Sequence, residues 1–314
     1  MKNLPLIALG TWSWGAGFAG GDQVFGNNLT TENLQPVFDA AMKAGLNLWD
    51  TAAVYGMGSS ESVLGQFVRQ YPREQVVLST KFTPQIAGNS TNPVEELLDA
   101  SFDRLGTDYM DIYWIHNPLD VKKWTTKLIP LLKNGKVKNV GVSNHNLAEI
   151  KVANEILASE GFRISAVQNH YSLLYRSSEE AGILEYCKEN DIVFFAYMVL
   201  EQGALSGKYN TLNPLPEGSG RAETYNKVLP QLEELINAMK EIGKIKNASV
   251  AQVAIAWAIA KNTLPIIGVT KVAQVEDAVN ASKISLTLRE IETLEGLAAK
   301  TGVDTRGSWE KPMI

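Results

Sequence analysis

A single cysteine, Cys187, in 314 residues excludes an internal disulfide and a cysteine-built zinc cluster. It lies in the helical-looking run Leu184-Glu185-Tyr186-Cys187-Lys188-Glu189, so it reads as a packing residue and not as a nucleophile. Charge of one sign is equally scarce. The 29 Lys and Arg against 34 Asp and Glu leave a net −5 and a pI near 5.4, without a run of like charges. Nucleic acid and membrane surfaces therefore have no electrostatic footprint here. No stretch approaches the ~20 apolar residues of a membrane span. The apolar start at residues 4–9 is too short for a signal sequence, so a cytoplasmic protein is expected. Without an export signal, the sequons at Asn28, Asn89, Asn247 and Asn280 read as chance matches. Histidine is rare too: His116, His145 and His170 are the only three, and none has H-x-H or H-E-x-x-H spacing.

What remains is an ordinary globular composition, 45% hydrophobic and 8% aromatic, with mean hydropathy −0.09. Short apolar runs alternate with longer amphipathic ones. Strands are predicted at 6–10, 46–50, 76–81, 109–116, 137–143, 165–168, 193–198 and 264–268. Most are apolar at consecutive positions, as strands buried on both faces are. Helical patterns occupy 31–44, 59–70, 91–105, 125–134, 147–159, 179–190, 229–244 and 250–261. This alternation predicts an α/β fold, a (β/α)₈ TIM barrel forming a single domain over 1–314. An open doubly wound sheet is the rival. The long irregular stretches 12–30 and 209–225 would both lie on the C-terminal face of a barrel, where barrel sites are built. Gly15-Ala16-Gly17-Phe18-Ala19-Gly20 matches the dinucleotide fingerprint G-x-G-x-x-G. No helix start is evident before Thr31, so the match is read as a decoy.

Polar residues collect where the buried runs stop. Strand two ends in Asp50 and leads to Tyr55, strand three ends in Lys81, and strand four ends in His116. Singly, each has an ordinary structural reading. A barrel, however, brings its strand ends onto one ring, and a buried lysine needs a charge partner, which Asp50 supplies. Free tyrosine has a pKa of about 10. An adjacent ammonium is expected to lower that value, giving a general acid able to protonate a developing alkoxide.

Longer motifs carry a resemblance. Residues 38–56 (Phe-Asp-Ala-Ala-Met-Lys-Ala-Gly-Leu-Asn-Leu-Trp-Asp-Thr-Ala-Ala-Val-Tyr-Gly), 140–144 (Val-Gly-Val-Ser-Asn) and 202–209 (Gln-Gly-Ala-Leu-Ser-Gly-Lys-Tyr) resemble the signatures of the aldo-keto reductases. Gly10-Thr11-Trp12-Ser13-Trp14-Gly15 and Tyr171-Ser172-Leu173-Leu174-Tyr175-Arg176 resemble a bacterial and plant subgroup. The resemblance implies a barrel that reduces carbonyls with NAD(P)H, with Asp50, Tyr55, Lys81 and His116 as the catalytic tetrad. It implies that Ser143, Asn144 and Gln168 bind the nicotinamide carboxamide and that Tyr197 stacks on the ring. Thr11 and Trp12 are included in the cofactor set. Met198, Leu200, Gln202, Gly203, Leu205 and Lys208 fall in the implied pyrophosphate loop, and Gly268, Thr270, Lys271 and Gln274 in the implied 2′-phosphate segment.

Lys271 is the only cation in 268–281, and a dianionic phosphate favours cationic donors, so NADPH is expected ahead of NADH. The chain departs from the family pattern at Met198 and Val199, at His170 and at Ala278, and it lacks the usual N-terminal β-hairpin. Trp14, Phe82, Trp114 and His145 are pocket candidates for a small carbonyl substrate with an apolar or aromatic body. No nucleic-acid, membrane or metal partner is expected, and the chain is expected to be monomeric or weakly self-associating. The rivals are an NADP(H)-sensing regulatory subunit, a metal-dependent barrel hydrolase built on the three histidines, and a Schiff-base lyase using Lys81.

Overall fold

Each strand feeds a helix that returns the chain to the same end of the sheet. In the computed structural model, which describes residue 1 and residues 3–314, this produces a closed parallel barrel of eight strands. They are β1 (Ala8–Gly10), β2 (Leu48–Asp50), β3 (Val77–Phe82), β4 (Met110–Ile115), β5 (Val137–Ser143), β6 (Ala166–His170), β7 (Val193–Tyr197) and β8 (Leu264–Gly268). All eight fall inside or within two residues of the predicted runs. The open-sheet rival is excluded, because β1 pairs with both β2 and β8.

Helix starts are written locally. Thr30 with Asn33, Asn146 with Glu149, Ser249 with Gln252 and Thr287 with Glu290 form reciprocal caps at four helices. Five predictions need correction, one of them the run 179–190, which divides into Ser177–Glu180 and Ile183–Glu189. A short helix, Gly21–Phe25, precedes Thr31, and another, Gly220–Tyr225, interrupts the long loop after β7. The pattern over 125–134 divides into Val121–Thr126 and Leu128–Lys133. The helices Val272–Ala281 and Leu288–Lys300 after β8 have no counterpart in the predicted set, although both are amphipathic. Even so, no helix starts within 15–20, so the glycine-rich match there is not the strand-to-helix turn of a dinucleotide fingerprint.

Strand parity sorts the side chains. One set faces the barrel axis, where Ala8, Leu48, Ile112, Trp114, Ala166, Phe195, Leu264 and Ile266 form the inner core. The other set, including Leu9, Trp49, Leu78, Tyr113 and Val142, packs against the helices. Space inside is tight enough that Gly141 has no alternative: a β-carbon there would lie 2.4 Å from the Trp114 ring. No strand of a hairpin precedes β1 among the described residues. Met1 and Leu4 pack against the inner core at that end instead. Above the inner core, at the carboxyl ends of the strands, the inward set becomes polar.

Candidate active site

Inward parity places Asp50, Lys81, Ser143 and Gln168 in that polar layer, all nearly or fully buried. Lys81 Nζ donates to Asp50 Oδ2 at 2.5 Å and to the Thr51 carbonyl at 2.8 Å. Asp50 Oδ1 accepts from Ser79 Oγ at 2.6 Å and from Gln168 Nε2 at 3.1 Å. The pair is therefore hydrogen-bonded on every side, the condition under which a buried ion pair persists. Burial by itself would discharge Lys81, but Asp50 and Tyr55 together more than reverse this and raise its pKa.

Tyr55 reaches the pair from the turn after β2. Gly56, Met57 and Gly58 all have positive φ there, and a β-carbon on Gly56 would lie 2.0 Å from Ser59 Oγ. That sharp turn brings the Tyr55 hydroxyl to 3.5 Å from Lys81 Nζ. The expected lowering of its pKa is not the net result. Burial raises it, Lys81 pulls it back, and Asp50 pushes it up again, so the phenol stays protonated.

His116 stands edge-on to Tyr55, with ring centroids 6.0 Å apart, and its Nδ1 lies 2.8 Å from Thr83 Oγ1. Burial and the Lys81 charge hold its pKa well below the usual imidazole range, so the ring is neutral. The four residues expected at the strand ends are thus brought together.

Around them the structure sorts the remaining candidates. Trp12 stacks on Tyr55 at 5.7 Å, and Trp309 from the chain's end meets the Trp12 ring edge-on at 6.1 Å. The mouth above Tyr55 is therefore aromatic. Asn144, at φ 61°, donates from Nδ2 to the His116 carbonyl at 2.9 Å and accepts from Tyr197 Oη at 2.5 Å. Ser143 lies beside it. Thr11 is buried and its hydroxyl is bonded to Ser60, so its side chain is turned away from the mouth.

Three pocket candidates are core residues. Trp14 packs on Trp49 and Phe67 outside the barrel. Phe82 has the outward parity opposite to Lys81 and packs on Trp124. Trp114 points inward but is fully buried, donating to Ser79. The fourth, His145, is buried with Nδ1 on the Ser143 carbonyl at 2.7 Å, and burial pushes its pKa down to about 4.

The segment after β7 is strained. Met198, Glu201 and Gln202 all have positive φ, at a cost of about 1–3 kcal/mol each. Leu200, Gln202 and Gly203 follow this path, and Leu205 turns its side chain into the core. Lys208 is exposed nearby. Gln274 Oε1 accepts from Thr270 N at 2.7 Å and Lys271 N at 3.0 Å, which forms the turn before Val272–Ala281 and leaves Lys271 exposed. Ala278 is fully buried, so that position offers no polar contact.

Arg221 was missed. Its Nη1 donates to the Gln202 carbonyl at 3.3 Å, and its Nε is buried without a partner. The signal was a lone arginine in the long loop after β7. Open space at inward-facing Gly268, the amides of Asn144 and Gln168, and the cations Lys208, Arg221 and Lys271 are a donor set that fits a dinucleotide. Also missed was a second buried cluster: His170 sits between Glu201 and Glu310.

The histidines do not converge. Each bonds a different partner, and no cluster of three or more His, Cys, Asp or Glu suited to a metal occurs among the described residues. Cys187 is buried, and burial pushes its thiol up to about 12. No helix of the described residues is long and apolar enough to cross a membrane.

Comparison with known proteins fits this geometry. The aldo/keto reductase family model matches residues 6–299. A chloroplastic pyridoxal reductase of Arabidopsis thaliana is 33% identical over 310 residues, covering 94% of this chain and 83% of the relative. An aldo-keto reductase of Gibberella moniliformis is 30% identical, covering 94% and 91%. An aldo/keto reductase from Klebsiella pneumoniae, solved with NADP and acetate, superposes with a TM-score of 0.71 at 26% identity, covering 94% of this chain and 91% of that one.

Proposed function

The chain belongs to the aldo/keto reductase family, and on that premise we propose that it reduces an aldehyde or ketone to the alcohol with NADPH, Tyr55 giving the proton. The observation that carries this reading is the Tyr55 hydroxyl 3.5 Å from an ammonium that is itself fastened to a buried carboxylate. Bound NADPH supplies the hydride to the carbonyl carbon.

The protein's part is the proton. Tyr55 rests as the phenol because burial and Asp50 favour the neutral form. A carbonyl oxygen hydrogen-bonded to it takes that proton as alkoxide charge develops. The phenolate left behind is stabilised by Lys81, whose own proton is held by Asp50 and the Thr51 carbonyl. In the tautomer in which Thr83 donates to Nδ1, neutral His116 presents Nε2–H as a second donor to the substrate oxygen. Trp12 covers Tyr55 on one face and limits water there.

Asn144 and Gln168 would hold the nicotinamide carboxamide, Tyr197 would stack on its ring, and Arg221 with Lys208 would take the pyrophosphate. Lys271 would meet the 2′-phosphate, a charge match that favours NADPH over NADH. The aromatic mouth of Trp12, Tyr55 and Trp309 suits a carbonyl with an apolar or aromatic body.

The test follows tryptophan fluorescence on adding NADPH, then nicotinamide absorbance after adding 4-nitrobenzaldehyde. Quenching with NADPH oxidation that Tyr55→Phe abolishes is the expected result. Quenching without turnover on a broad carbonyl panel would shift the assignment to a dinucleotide-sensing subunit. No binding of either NADPH or NADH would end the reductase reading.

A further inference from the structure

His170 is enclosed on every side. Its Nε2 bonds Glu201 Oε1 at 2.9 Å and its Nδ1 bonds Glu310 Oε1 at 3.0 Å. Tyr175 stacks on the ring at 4.3 Å, and Tyr197 stacks at 5.5 Å, both within 24° of parallel. His170 and Glu201 have no exposed surface, and Glu310 is 9% exposed. The three acidic and imidazole groups come from different parts of the chain: β6, the strained segment after β7, and the final stretch 305–314.

Glu201 gathers further donors from the loop after β6, from the helix Gly220–Tyr225 and from the final stretch. Besides His170 it accepts from Ser172 Oγ, from Tyr225 Oη at 2.6 Å and from Thr305 Oγ1 at 3.0 Å. A left-handed glutamate, φ 45°, persists when its surroundings over-determine it, and these four donors do so. The conformation of the segment after β7 therefore depends on His170 and on the chain's end. The far side of the cluster reaches the mouth, because Trp309 adjoins Glu310 and lies against Trp12 over Tyr55.

We infer that His170 is a latch that fastens the terminal strap 305–314 to the loop after β7 and to the back of Tyr197, so that dinucleotide binding and seating of the strap over Tyr55 are one coupled event. His170 is a positioning residue in this scheme, touching neither substrate nor dinucleotide. The coupling half rests on the dinucleotide reading given above, whereas the fastening half does not.

Charge explains why the latch holds. Two buried carboxylates this close require a cation between them. Burial alone would discharge His170, but Glu201 and Glu310 more than reverse that and raise its pKa to about 9. The phenols of Tyr175 and Tyr197 face the ring, Tyr225 backs Glu201, and Arg306 pairs with Asp304 on the strap itself. Opening needs only the strap to withdraw, since Glu310 is carried by a segment with no strand or helix of its own.

Hydrogen exchange of the 305–314 amides, with tryptophan quenching by NADPH, tests both halves in the unaltered protein, E310Q and H170Q. E310Q is the leading variant, because its site lies at the chain's end, where no strand or helix depends on it. NADPH is expected to slow strap exchange at least tenfold in the unaltered protein. E310Q is expected to speed strap exchange at least tenfold without dinucleotide and to raise the NADPH Kd five- to tenfold, with kcat within threefold. Linkage requires the two effects to be reciprocal. Unchanged strap exchange in E310Q overturns the latch. A freed strap with unchanged NADPH affinity overturns the coupling. If NADPH fails to bind the unaltered protein, the reductase reading and the coupling fall together, and E310Q exchange alone still decides the latch.

Discussion

Two buried ion clusters face each other across the barrel mouth, and they are built on opposite plans. Asp50 and Lys81 stand on adjacent strands, β2 and β3, whose register fixes their approach. His170 stands on a strand, but its partners Glu201 and Glu310 stand on a strained turn and on an irregular terminal stretch. The first cluster cannot separate without breaking the sheet. The second separates when one segment lifts. On the proposed reading, Tyr55 as proton donor needs the first plan, because an ångström of play beside it would lose the phenolate's stabilisation. A covered mouth that must admit ligands needs the second.

Lys81→Met should break the rigid cluster with the largest effect. It strands Asp50 as a buried unpaired charge, expected to cost about 3–5 kcal/mol in a denaturant titration. It also removes the phenolate's counter-charge, lowering kcat by about 10²–10⁴. His170→Ala also strands buried carboxylates, yet the strap can withdraw and rehydrate Glu310. Its expected global loss is therefore smaller, about 1–2 kcal/mol, with proteolytic trimming of the last ten residues. Equal losses from the two substitutions would erase the distinction drawn above.

Acidity sharpens the same contrast. The raised pKa of His170, about 9 against 6.5 unfolded, means its stabilising contribution is fully present below pH 6.5. That contribution declines as the pH rises and is lost through pH 9. Lys81, raised above 10.5, loses nothing over that window. With only three histidines, proton NMR can resolve them: one imidazole should remain protonated at pH 8, while the other two are neutral already at pH 6. Melting temperature should fall between pH 7 and 10 in the unaltered protein and stay flatter in H170Q. The smallest effect sets the scale. Lys133→Ala removes an exposed partner of Glu160 and should change stability by less than about 0.5 kcal/mol.

These plans also explain what was legible in the sequence. Asp50, Lys81 and His116 end apolar runs, so the strand pattern that builds the barrel also locates them. Strand parity separates Phe82 from the pocket. Alternation along β3 turns it outward once Lys81 faces in, and Trp114, with the parity of His116, lies one layer lower. The direction of the Tyr55 pKa is not legible in the sequence, because it is set by burial, which depends on Trp12 lying over the ring. The second cluster leaves no trace in the sequence beyond the departure at His170, which does not point to its partners. His170 and Glu310 are 140 residues apart, and neither stands in a periodic pattern that would announce the other. The helices after β8 show amphipathic periodicity, so they are legible in the sequence.

The seam of the barrel has a consequence in time. β1 is three residues long, and β8, its partner on one side, begins at Leu264. Trp14 Nε1 adds a bond to the Val269 carbonyl across 255 residues of chain. Until that last strand leaves the ribosome, β1 has only β2 beside it, and the growing sheet has two open edges that invite pairing with other chains. Contacts of such sequence separation form slowly, so the nascent protein carries its aggregation risk until β8 has been made. The helices that follow β8 arrive just as the seam can close.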